Sequence, residues 1–152
     1  RATVKREECR AVIGRGLIDD QPVELAKPQT YMNLSGEAVK CLVTKGERSV
    51  EKLLVISDDL ALPFGSIRIR RGGSHGGQSG LRSIIDHLGT PEFARLRIGI
   101  QPEHPIGDAS GFVLDTFSKG ETSEVEKILE TSADAVETIV GHGIDEAMAR
   151  FN

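Results

Sequence analysis

The stretch Gly72-Gly-Ser-His-Gly-Gly-Gln-Ser-Gly80 places five glycines among nine residues. It lies where a strand pattern meets a helix pattern. Before it, Ser66-Ile-Arg-Ile-Arg70 alternates, which predicts a strand with one buried face and arginine on the other. After it, Leu81, Ile84, Ile85 and Leu88 recur at i, i+3, i+4 and i+7, the stripe of an amphipathic helix, with Gly89 at its C-terminal end. Glycine costs backbone entropy in ordered structure, so such a run marks a place that needs positive φ or close backbone approach. A strand that feeds a helix through such a loop restricts the chain to folds mixing the two elements.

The rest of the sequence fits that restriction. Residues 11–17 and 22–27, separated by Ile18-Asp-Asp-Gln21, predict a hairpin that Pro28 ends. Asn33 and Ser35 precede Ala38, Val39, Leu42 and Val43, a helix of about ten residues reaching toward Gly46. Leu53-Leu-Val-Ile56 is a continuous apolar run, the pattern of a strand buried on both faces. It ends in Ser57-Asp-Asp59, and polar residues at such strand ends are where open α/β sheets place their sites. Arg95-Leu-Arg-Ile-Gly-Ile100 predicts another strand. From Thr122 to Val140, the residues Val125, Ile128, Leu129, Val136, Ile139 and Val140 form one stripe of a packing helix. The expectation is one α/β domain over residues 1–152, with a mixed twisted sheet flanked by helices. That sheet lacks a central strand, because no strand–loop–helix unit opens the chain.

The net charge of −4 conceals an uneven distribution. Between residues 66 and 97 stand Arg68, Arg70, Arg71, Arg82, Arg95 and Arg97 against only Asp86 and Glu92, whereas the last third is acidic. A basic centre permits a phosphate-bearing ligand; a solvated arginine face is the plainer reading. Cys9 and Cys41 have no metal-type spacing and read as ordinary thiols of a reducing compartment. No apolar run approaches the roughly 20 residues needed to cross a bilayer, so the expected location is cytoplasmic. No group of residues shows metal-ligand spacing, and the glycine loop lacks both the Gly-Lys-Ser/Thr ending of phosphate loops and the spacing of dinucleotide binders. The expectation is therefore no metal and no cofactor. Among His75, His87, His104 and His142, only His75 is embedded in a candidate site.

Five segments carry a resemblance. Lys27-Pro-Gln-Thr-Tyr-Met-Asn-Leu-Ser-Gly36, Ser57-Asp-Asp-Leu-Ala-Leu-Pro-Phe-Gly65, Gly73-Ser-His-Gly-Gly-Gln-Ser-Gly-Leu81, Phe93-Ala-Arg-Leu-Arg-Ile-Gly-Ile100 and Phe112-Val-Leu114 stand in the order and at the spacings of bacterial-type peptidyl-tRNA hydrolase. The resemblance runs from about Arg6 to the C-terminal helix. It implies an esterase that cleaves the bond joining a peptide to the 3′ end of tRNA, with no metal, no cofactor and no membrane, and a monomer for the intact family. Asn33 resembles the amide that contacts substrate. Met32, with Tyr31 beside it, resembles the wall of the peptide cleft. Asp58 resembles the carboxylate that orients a catalytic imidazole. His75, Gly76, Gly77 and Ser79 resemble the substrate-approaching loop, and Arg70 with Arg97 the pair that clamps a tRNA phosphate.

Two departures accompany it. Gln78-Ser79 stands where the family commonly has His-Asn, which bears on substrate affinity because a hydroxyl reaches less far than an amide. The family's Gly-Leu-Gly-Asn-Pro-Gly strand end and its Thr-Arg-His-Asn-x-Gly segment, which carries the general base, have no counterpart here. With an opening of Arg1-Ala-Thr and no initiating methionine, the expectation is an N-terminally truncated, weakly active form. The alternative is an RNA-binding protein without hydrolysis, such as an intron-splicing factor built on the same fold.

Overall fold

The computed structural model describes residues 3–152. The first unit is an antiparallel meander of β1 (Arg6–Glu8), β2 (Ala11–Ile18) and β3 (Gln21–Pro28), in which Asp19 and Asp20 turn with positive φ. A 3₁₀ turn, Met32–Leu34, then leads into α1 (Ser35–Val43). The second sheet runs in the order β4 (Leu54–Pro63), β6 (Ala94–Gln101), β5 (Ile67–Arg70), with β4 parallel and β5 antiparallel to the central β6. The helices are completed by α2 (Ser79–Leu88), α3 (Ala109–Leu114), α4 (Thr122–His142) and α5 (Ile144–Phe151). The α/β expectation holds, and among the described residues the strands are divided between two three-stranded sheets.

The alternation read in the sequence sets the layers of the second sheet. Ile67, Ile69 and Leu96 point to one side and form a core with Ile128 and Ala135 of α4 and Ala147 of α5. On the other side, Phe93 packs with Leu81 and Ile84 of α2 and Val39 of α1. Helices α1 and α2 meet where Gly36 passes Ser83: the Gly36 N–H donates to Ser83 Oγ at 2.9 Å, and a Cβ at Gly36 would run into the Ser83 carbonyl. The outer edge of β5 is closed by Asn152, whose Oδ1 accepts the Ile69 N–H (2.7 Å) and whose Nδ2 donates to the Ile69 carbonyl (3.0 Å).

Four expectations change. The apolar run 53–56 is not buried on both faces, since Ile56 is 50% exposed. The reason is that β4 pairs only with β6 among the described residues, and its other edge faces an open cleft of about 1290 Å³ toward the meander. Leu129 leaves the α4 stripe and is exposed, because the buried line follows Ile128, Ser132, Ala135 and Thr138 instead. Arg95, counted with the basic surface, is 1% exposed. Cys9 and Cys41 are not free thiols but a disulfide. Cys9 sits with positive φ in the β1–β2 turn against α1, which brings its Cα within 5.7 Å of that of Cys41, inside the range a bridge requires. No spacing rule foretells a pair made by tertiary packing over 32 residues.

Candidate functional site

Two of the singled-out residues, Met32 and Asp58, meet on the wall of the cleft beside β4, together with Gln78 and Gly80. Asp58 is half-buried in the middle of β4, opposite Ile98, since the strand runs on past the expected end at Ser57-Asp-Asp59 to Pro63. Its Oδ1 accepts a hydrogen bond from Gln78 Nε2 at 3.2 Å. Gln78 is also the N-cap of α2, its Oε1 accepting the Leu81 N–H at 2.7 Å, and its Nε2 lies 3.7 Å from Met32 Sδ. The Met32 turn is tied in turn to α1, where Ser35 Oγ donates to the Met32 carbonyl at 2.7 Å. One amide thus joins three segments that lie far apart in sequence.

The start of the glycine loop is held by the side chain of Arg95. Register pairs Arg68 with Arg97 and Arg70 with Arg95, so all four side chains share one face of the β5–β6 ladder. Arg95 is the anchor. Its Nη1 donates to the carbonyls of Gly73 (2.8 Å) and Ser74 (3.1 Å), and its Nη2 to those of Pro91 (2.6 Å) and Phe93 (3.4 Å). Its guanidinium also lies 4.3 Å over the Phe93 ring. Burial, and then the neighbouring Arg97 charge, push the Arg95 pKa down. Arg97 forms an ion pair with Asp59, which is buried and also accepts the Ala61 N–H at 2.8 Å. A Cβ on Gly76 would stand 3.0 Å from the Arg97 Nη2. Gly76 and Gly77 have φ of +58° and +88°, a conformation that answers why glycine fills the loop.

Not every expected residue joins one cluster. Tyr31 is 82% and Met32 54% exposed, and Asn33 in the middle of the 3₁₀ turn is exposed as well. His75 is half-buried within the loop, and its Nδ1 accepts the Gly77 N–H at 3.0 Å, which puts the proton of the neutral ring on Nε2. Ser79 is exposed at the first turn of α2, and Arg70 is exposed on the arginine face. Among the described residues, no histidine hydrogen-bonds Asp58; His87 engages the Ser83 carbonyl (2.8 Å) and His104 the Pro105 carbonyl (3.2 Å). The sequence reading missed two residues, Gln78 as the partner of Asp58 and Arg95 as the loop anchor. An amide one residue before a helix is an available capping signal; nothing local signals that Arg95 is buried.

Among the described residues, no three or more His, Cys, Asp or Glu side chains come close enough to hold a metal ion, and no helix is long and apolar enough to cross a membrane. The sequence profile of the family described as Peptidyl-tRNA hydrolase matches residues 1–152. A peptidyl-tRNA hydrolase of Koribacter versatilis is 47% identical over 150 residues, covering 98% of this chain and 75% of that protein. One from Chlorobium phaeobacteroides is 49% identical over 139 residues, covering 91% of this chain and 70% of that protein. The crystal structure of peptidyl-tRNA hydrolase from Acinetobacter baumannii is similar with a TM-score of 0.89 at 34% identity, covering 99% of this chain and 77% of that one.

Proposed function

The chain belongs to the peptidyl-tRNA hydrolase family, and we propose that its residues serve the hydrolysis of the ester between a peptide, or an N-blocked aminoacid, and tRNA. The observation that carries the assignment of roles is the joining of Asp58, Gln78 and Met32 at one cleft, next to a loop held over Arg97. Ester hydrolysis needs a base to activate water and donors to receive the carbonyl oxygen as it gains charge. Asp58 orients the imidazole that acts as base and stabilises its cation. Asn33 and the loop amides around Gly76 and Gly77 place the ester, with Met32, Tyr31, His75 and Ser79 bordering the peptide. Arg70 and Arg97 meet tRNA phosphate. Asp59 leaves part of the Arg97 fork free, and a guanidinium carries five donors.

The 152-residue chain alone hydrolyses slowly under this reading. Among the described residues Asp58 has an amide as its side-chain partner and no imidazole, and loss of a general base costs about 10²–10⁴ in rate. The same observation supports a second reading, binding of RNA without hydrolysis. We place the protein in the cytoplasm, where translation supplies its substrate.

Single-turnover release of N-acyl-aminoacid from N-acyl-aminoacyl-tRNA, set beside tRNA binding across salt, tests the whole reading. Release should be slow, should rise in a form carrying the Thr-Arg-His-Asn segment that the resemblance calls for, and should fall in that form with Asp58→Asn. Binding should weaken steeply with salt, with a shallower slope after Arg70→Ala and Arg97→Ala. Tight binding without release in either form would favour the RNA-binding reading. A salt slope untouched by the double substitution would sink the phosphate assignment.

A further inference from the structure

Gln78 occupies the place at which the sequence departs from the family's histidine, and its geometry is more specific than that of a surface amide. The Leu81 N–H at 2.7 Å requires an acceptor, and the Asp58 carboxylate at 3.2 Å requires a donor. Only one orientation of the amide supplies both, and a half-turn of the group would set oxygen against oxygen and N–H against N–H. The N-terminus of α2, fixed in the core through Leu81 and Ile84, therefore locks the amide plane. That plane sets the direction from which Asp58 Oδ1 is held. Among the described residues, no other side chain hydrogen-bonds Asp58.

We infer that Gln78 is a positioning residue for Asp58: it occupies Oδ1 and fixes the carboxylate plane, so that Oδ2 is presented to the group that Asp58 orients. The inference rests on the role proposed for Asp58 in ester hydrolysis. It also gives the Gln78-Ser79 departure a function distinct from substrate affinity. The bond is made within the protein, so its loss should appear in the chemical step rather than in tRNA binding.

Two substitutions separate this role from helix capping. Gln78→Glu keeps an oxygen for the Leu81 N–H but removes the donor and sets a carboxylate against Asp58. Gln78→Ala removes both the cap and the donor. In a form carrying the Thr-Arg-His-Asn segment, Gln78→Glu should lower single-turnover release about tenfold to a hundredfold, the scale of a displaced catalytic group. Affinity for tRNA should stay within about twofold, the signature of an interaction outside ground-state binding. With Gln78→Ala, release and thermal stability should fall together. Independently of activity, the side-chain amide resonances of Gln78 in the 152-residue chain should move on Asp58→Asn. Undiminished release by a folded Gln78→Glu protein would overturn the inference, as would amide resonances indifferent to Asp58→Asn. Should neither the unaltered chain nor a form carrying the Thr-Arg-His-Asn segment release anything, the hydrolytic reading is what fails, and the resonance shift decides the Asp58–Gln78 contact by itself.

Discussion

The two sheets are held by different physics. The β4–β6–β5 sheet is buried between α4 and α5 on one side and α1 and α2 on the other, and its central residues Ile69 and Leu96 are fully inaccessible. The meander has a small core of its own, Ala11 and Ile13 against Leu42. It is fastened to the rest by the Cys9–Cys41 bridge and by Arg48, which donates to Glu8 (2.9 and 3.1 Å) and Glu24 (2.7 Å). Apolar burial is indifferent to redox state and largely to pH, whereas a disulfide and an ionic clamp respond to each. The comparison teaches that the candidate site spans both regimes: Asp58 and the glycine loop belong to the buried sheet, while Met32 and Asn33 sit on the segment that follows the meander.

The largest expected effect comes from the buried side. Leu96→Ala empties a fully enclosed position and should cost within the range of about 2–5 kcal/mol seen for such truncations. For a domain of this size each kcal/mol is about 2–4 °C in midpoint, so calorimetry should show a fall of several degrees. Hydrogen exchange should accelerate in both sheets, because α1 carries Val39 in the packing of the one and Leu42 in the core of the other, so loosening the larger sheet loosens the support of the meander. A loss of protection confined to β5 and β6 would mean that the two regions unfold separately.

Reduction of Cys9–Cys41 should come next and act locally. Closing a loop of this length stabilises by at most about 4 kcal/mol on the chain-entropy account, and the span is 32 residues. The expected result is faster exchange in β1, β2 and α1 with β6 unchanged, together with a smaller fall in midpoint than Leu96→Ala gives. Equal stability of the reduced and oxidised chains would show that Ala11, Ile13 and Leu42 suffice to hold the meander. In a reducing cytoplasm the reduced state is the relevant one, so this measurement also bears on the proposed location.

This division explains what could be read from the sequence. The β2–β3 hairpin, the arginine-bearing strand and the helix after the glycine loop were legible because each is written in a local period, and their observed bounds agree closely with the pattern. The glycine loop was legible as a site because its composition makes sense only with positive φ. What was not legible depends on partners remote in sequence. Cys41 meets Cys9 only once α1 packs on the meander, and Arg95 is buried only because the loop folds over it. Ile56 looks like a core residue until β4 is found at a sheet edge. Asp58 was singled out through resemblance, yet its actual partner, Gln78, lies 20 residues away and was read as a departure rather than as a contact.

The smallest effect concerns pH, and its sign follows from the Arg48 clamp. Hydrogen bonds from Arg48 are the main cause that holds both Glu8 and Glu24 below the ordinary carboxylate value of 4.5. A carboxylate whose pKa is lower in the folded state binds its proton more readily once unfolded. Its contribution is therefore fully present above the unfolded value and is lost as pH falls through the folded one. Protection in β1 and β3 should thus hold from neutrality to about pH 5 and decline below about 4.5, the unfolded carboxylate range. With Arg48→Ala the two carboxylates lose the partner that lowers them, so the meander should be less protected at neutral pH and lose less on acidification. The pairs are partly solvated, with 21–23% side-chain exposure, so raised salt should shrink the difference between the two proteins. An acid decline of equal size in both would place the sensitivity elsewhere than in this clamp, and the meander would then be held chiefly by its bridge.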